Sequence, residues 1–141
     1  MAYCTAAQVQ AVVSPVFFDR ALLDTADQTQ ETQFALLAAV VDNEINGYLT
    51  RGGFELPLDS TPAIIADCAI KLCSSMMAQR RGVKYDDNPW GFDAKTARET
   101  LELIATGALS VGIDGDTEKE PLVSDPDDDL NFEEDDQNGL L

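Results

Sequence analysis

From about Thr29 to Arg51 the apolar residues Phe34, Leu37, Ala38, Val41, Ile45, Tyr48 and Leu49 recur at steps of three and four. A strand has no use for that spacing, since its side chains alternate between faces. On a helix the same residues line one stripe. Gln33, Glu44 and Asn46 fall off the stripe. At ~1.5 Å per residue the rod is roughly 30–35 Å long, enough to be the backbone of a small domain. Its end is equally constrained. The run DNEINGYLTRGGFELPLDSTP, from Asp42 to Pro62, closes the helix, crosses Gly52 and Gly53, runs briefly extended near Phe54 to Pro57, and opens a second helix at Pro62. Glycine permits the positive φ with which a chain leaves a helix, and proline suits a first turn whose N–H has no helical partner.

The second helix is expected from Pro62 to about Arg81, with Ile65, Cys68, Ala69, Leu72, Cys73 and Met76 inward and Lys71, Gln79, Arg80 and Arg81 forming a wet, basic end. A third is expected from about Asp93 to Gly107, with Ala94, Ala97, Leu101, Ile104 and Ala105 inward. Residues 5–14 read as a short N-terminal helix capped by Thr5, with Val9, Val12 and Val13 on one face and Pro15 ending or deflecting it. VFFDRALLDTADQ, residues 16–28, is apolar but turn-rich and reads as a short helical or irregular piece. GVKYDDNPWG is a connector, and ALSVGI after Gly107 extends along the body. The fold class that results is all-α: a small bundle of three main helices plus a short N-terminal helix, with an extended corner, over residues 2–113.

Residues 114–141 differ in kind. The chain carries a net charge of −17, and this last fifth holds 12 of its 26 acidic side chains but only one of its nine basic ones. Such a composition cannot bury enough apolar surface to offset its ordering entropy, so an acidic, flexible, disordered tail is expected. Leu130 and Phe132, set among Asp and Glu, are the residues placed to dock if a basic partner surface neutralises their neighbours. The other reading is a solubilising, DNA-repelling brush.

The charge argues against direct nucleic-acid binding, which draws its affinity from Lys and Arg on phosphates, and against anionic membranes. It favours attraction to basic protein surfaces. An acidic inhibitor or DNA mimic acting on a basic partner is therefore the alternative function. No window approaches the roughly 18–20 apolar residues that span a bilayer. Three cysteines, Cys4, Cys68 and Cys73, without a CxxC pair or a signal peptide, read as unpaired core thiols of a soluble protein made in a reducing cytoplasm.

Little here is arranged for catalysis. The sequence has no histidine, which removes the commonest general base and metal ligand. Ser74 and Ser75 have no base at a recognisable spacing, and RGGF sits at a helix end rather than between a strand and a helix, so it is no phosphate loop. Counting a calcium loop from Asp114 puts Lys119 where glycine is required, and counting from Asp125 puts Leu130 there. The expectation is no enzyme, no cofactor and no metal. What remains are contact residues. Tyr48 reads as core, whereas Phe54 and Trp90 lie in connectors, where aromatics either cap a core or anchor a partner. Arg51, Arg80 and Arg81 are singly ordinary solubilising charges, yet their clustering at helix ends of an acidic protein points to subunit contacts.

AYCTAAQVQAVV, then VVDNEINGYLTRGGFELPL, IIADCAIKLCSSMM and TARETLELIATGALSVGI, in that order over residues 2–113, resemble the Mu-like phage head–tail connector family. Asn43-Glu44-Ile45, Tyr48-Leu49, Pro57-Leu58 and Gly107 carry the likeness. The corner departs from the family pattern, which pairs an Arg with a following Tyr, by having Arg51-Gly52-Gly53-Phe54; the acidic extension departs from it as well. The resemblance implies a virion protein of the phage neck: a homo-oligomeric ring below the portal protein, with a tail-side neck or tail-terminator protein as the other partner. DNA would pass through the lumen without specific binding, and no membrane is involved. The candidate contact residues are thus Arg51, Gly52, Gly53, Phe54 and Pro57 of the corner, on which the resemblance and the density of special residues agree, with Arg80, Arg81 and Trp90 from the residues alone.

Overall fold

Three helices of this chain end in the same way. At the close of each, a glycine takes a left-handed φ: Gly53 at 85°, Gly82 at 82° and Gly107 at 84°. The N–H of that glycine donates to the carbonyl three residues back, and the next N–H donates to the carbonyl five residues back, as Gly53 to Thr50 (3.1 Å) and Phe54 to Leu49 (3.0 Å). These paired bonds satisfy carbonyls that the helix end would otherwise orphan, and glycine bears the left-handed turn without a Cβ clash.

The structure is a computed structural model that describes residues 2–22 and 29–111, with the side chain of Tyr85 also outside the description. The elements are α1 (Ala6–Val13), α2 (Pro15–Leu22), α3 (Gln30–Arg51), α4 (Ala63–Arg80), a 3-10 turn (Tyr85–Asp87) and α5 (Gly91–Ala105). The fold is all-helical, with no strand among the described residues. The acidic tail from Asp114, including Leu130 and Phe132, lies outside them, as do residues 23–28 of the turn-rich segment.

Local chemistry accounts for the boundaries. Thr5 caps α1 in a reciprocal box: its hydroxyl accepts from the Gln8 N–H, and its own N–H donates to the Gln8 side chain at 2.8 Å. Pro15 does not only stop α1; it opens α2, with the Ser14 hydroxyl accepting from the Phe17 N–H at 3.3 Å. Thr29 caps α3 through the Thr32 N–H. Pro62 stands one position outside α4, at its N-cap.

The central rod is α4, against which α1, α2, α3 and α5 all pack. Ile65, Leu72, Met77, Ile45, Leu49, Leu101 and Ile104 are among the fully buried side chains between them. Its central place corrects the expected α4 stripe. Met76 is only half-buried, whereas Met77, Ala78, Ser74 and Ser75 are buried, because a rod surrounded by four others buries more than one face. The two serines are satisfied locally: Ser74 donates to the Ile70 carbonyl at 2.8 Å, and Ser75 accepts from the Asn88 amide at 3.0 Å. Two further corrections concern single positions. Val12 is exposed rather than inward, leaving Val9 and Val13 to hold α1 down. Gln33 is buried rather than off the packed stripe, because the Arg80 side chain of α4 reaches over to its amide oxygen.

Candidate assembly surface

The corner after α3 is knitted to the end of α5. Arg51 pairs with Glu102 at 2.7 Å and lies 5.3 Å from the centroid of the Tyr48 ring, leaving Tyr48 half-buried rather than in the core. Gly52, the C-cap of α3, lies against α5. A Cβ there would stand 3.2 Å from the Ala105 backbone and 3.1 Å from the Phe54 ring, so the absent side chain is what lets α5 and the phenyl group close over the turn. Phe54 is thus half-buried over its own corner, Leu58 is buried, and Pro57 faces solvent. One turn up, Arg98 of α5 pairs with Glu44 of α3 at 2.6 Å. Both pairs are exposed, so they fix the register of α3 on α5 more than they add stability.

Arg80 and Trp90 work elsewhere, and both fasten α2. The Arg80 Nε–H donates to the Ala21 carbonyl at 2.9 Å, and its guanidinium also donates to the Gln33 side chain. Trp90 packs its ring on Phe17, with centroids 5.1 Å apart at 46°, while its backbone N–H donates to the Asn88 side-chain oxygen. Trp90 is half-buried, and Arg81 is exposed at the C-cap of α4. Arg81 apart, the expected contact residues therefore fall into two groups: the corner, and the ties that hold α2.

Sequence reasoning passed over a third region. Leu36 and Val40 lie one turn apart on α3 and are 59 % and 53 % exposed. With Leu37, Met76, Gln33 and Gln79 they line a groove of about 430 Å³ between α3 and α4. Phe92, at the start of α5, is 76 % exposed. The signal for the α3 residues was the doubling of apolar residues in Leu36-Leu37 and Val40-Val41, which gives the helix a second apolar face beside the core stripe. A second groove, of about 290 Å³, runs between α4 and α5 and is lined by Ser75, Gln79, Lys95, Arg98, Glu99 and Glu102.

Burial perturbs titratable groups both within the bundle and at its edge. Desolvation pushes the Cys68 thiol up to about 11, and its Sγ faces the Ala97 carbonyl at 3.7 Å. Since the thiolate is the reactive species, Cys68 in the folded chain is expected to resist iodoacetamide at pH 8 and to label promptly once guanidinium unfolds the protein. Rapid native labelling at Cys68, located by peptide mass, would show that α4 and α5 part there. Burial also raises the Asp42 carboxyl, which accepts the Tyr3 N–H at 3.1 Å. Among the described residues no group of His, Cys, Asp and Glu is assembled to hold a metal, and no helix is long and apolar enough to cross a membrane.

The family model of bacteriophage Mu, Gp36 matches residues 3–126. The chain belongs to the bacteriophage Mu Gp36 family. It is thus a protein of the Mu-like phages, and the matched span takes in all the described helices. No curated protein and no solved structure matches it.

Proposed function

We propose that this Gp36-family chain is a structural virion protein, a head–tail connector subunit that assembles as a ring below the portal in the phage neck. The observation that supports the assembly role is the groove between α3 and α4, where the exposed Leu36 and Val40 stand beside Met76 and the polar Gln33, Gln79 and Arg80 complete the lining. A ring closes through heterologous contacts, each subunit offering two different surfaces, and Phe92 on α5 supplies a second apolar station apart from the first. The corner, with Pro57 facing outward and Phe54 half-covered, is the contact assigned to the portal or to the tail-side neck protein. The chain's net charge of −17 lets DNA pass a ring of such subunits without adhering.

The test is a double substitution, Leu36→Asp with Val40→Asp. Both side chains are mostly in water in the isolated chain, so helicity should persist and stability should shift by no more than about 1 kcal/mol. In a complementation assay, infectious particles should fall at least tenfold, with heads lacking joined tails. Undiminished joining of heads to tails by this variant would remove the α3 face from the assembly.

A further inference from the structure

We propose that Cys4 and Cys73 are a redox clasp: a reduced thiol pair, already in contact, that a disulfide oxidant converts into a bond locking the N-terminal arm onto α4. The two cysteines are 69 residues apart in sequence, and their Sγ atoms lie 3.7 Å apart in a buried contact. Their spacing gives no hint of this, and each alone reads as a small core residue. Together they form the junction between the arm that precedes α1 and the middle of the central helix.

The arm can deliver the chemistry. Tyr3, beside Cys4, is held by its N–H to Asp42 and its hydroxyl to Asn46, both on α3. Residues 2–5 lie outside any helix, so this arm can open locally without unfolding α4, and opening presents Cys4 while Cys73 stays in the central helix. The hydrogen bond from the Cys73 thiol lowers the Cys4 thiol below its ordinary value, while the same contact and burial raise Cys73. That perturbation belongs to the closed arm; in the opened arm Cys4 is the attacking sulfur because it is the one brought to solvent, while Cys73 remains within α4. Its thiolate attacks one sulfur of a small disulfide such as oxidised glutathione, breaking that S–S bond and expelling a glutathione thiolate, which takes up a proton. The arm then closes. The Cys73 sulfur, losing its proton to solvent, attacks Cys4 of the mixed disulfide and expels the second glutathione. Two protein thiols and one disulfide become one protein disulfide and two small thiols, so atoms and electrons balance.

Closure would tie the chain's start to its centre and constrain everything between, α1 to α3 included. Under the proposed neck role, the oxidising step would follow release of the particle from the reducing host cytoplasm. That timing rests on the role; the chemistry does not.

The whole chain, purified reduced, is incubated with oxidised glutathione at pH 8 and then digested without reductant. Trypsin cuts after Lys71, so Cys68 and Cys73 leave in separate peptides, and the link can be assigned by mass. The expected product is residues 1–20 joined to residues 72–80, with a melting temperature raised by roughly 10 °C or more, because the crosslink closes a long loop in the unfolded chain. Cys4→Ser should remove both the link and the oxidant's effect on melting. Glutathione remaining on Cys4, a link through Cys68, three free thiols at the end of the incubation, or a link with no gain in melting temperature would each overturn the clasp.

Discussion

Replacing Leu101 with alanine is expected to cost the fold about 3–4 kcal/mol, the largest loss from any single truncation proposed for this chain. Leu101 has no exposed surface and lies on α5, the helix packed on both α4 and α3. Truncation removes the transfer energy of the side chain and leaves a cavity that helices pinned by Arg51–Glu102 and Arg98–Glu44 cannot readily collapse. Against a typical stability of about 5–15 kcal/mol for a domain, that is a large share, equivalent to a drop of roughly 12 °C or more in melting temperature. Leu103 is the control two residues on. It is 48 % exposed, so Leu103→Ala should move stability by about half a kcal/mol or less. Denaturant titration of both variants, with an unchanged m-value, measures the difference. Equal losses would mean that α5 is rotated from the packing described.

The periodicity that makes Leu101 a core residue was readable along most of the chain. On α3 the three- and four-residue spacing picks out Phe34, Leu37, Ala38, Val41, Ile45 and Leu49, all buried. It fails at Gln33, since a glutamine enters a core only when a partner reaches it, and that partner comes from α4. It understates α4, because a central helix loses the contrast between faces on which a stripe depends. Gly52 and Gly53 announced a helix end, but sequence could not divide their tasks: Gly53 takes the left-handed turn, while Gly52 makes room for Phe54 and Ala105. Trp90 remained open between core cap and partner anchor, and the structure seats it on Phe17. The α3 groove was present in the doubled Leu and Val residues, yet a reading that seeks one stripe per helix passes over a second. The Cys4–Cys73 contact was beyond reach, since only the path of α1 to α3 brings those residues together.

Arg80 shows most clearly that a residue's type announces only part of its task. At the end of α4 in an acidic protein it looks like a surface charge available to another subunit. Within the fold its guanidinium donates to the carbonyl of Ala21, in the last turn of α2, and to the buried amide oxygen of Gln33 on α3, so one side chain joins three helices. A cation there also complements the negative end of the α2 dipole. Arg80→Ala takes that donor from a carbonyl and an amide oxygen that are both away from water. Each such loss costs about 1–3 kcal/mol, and the side chain's exposed flank lets some water in to compensate, so a net loss of about 2 kcal/mol is expected. Arg80→Lys should recover less than half of it, since an ammonium lacks the planar fork that reaches both acceptors. A double-mutant cycle with Gln33→Ala should return a coupling of about 1 kcal/mol or more. All three measurements are made on the isolated chain, where no neighbouring subunit is present. A role confined to subunit contact would leave monomer stability unchanged in every one of them, and that result would release Arg80 from the fold.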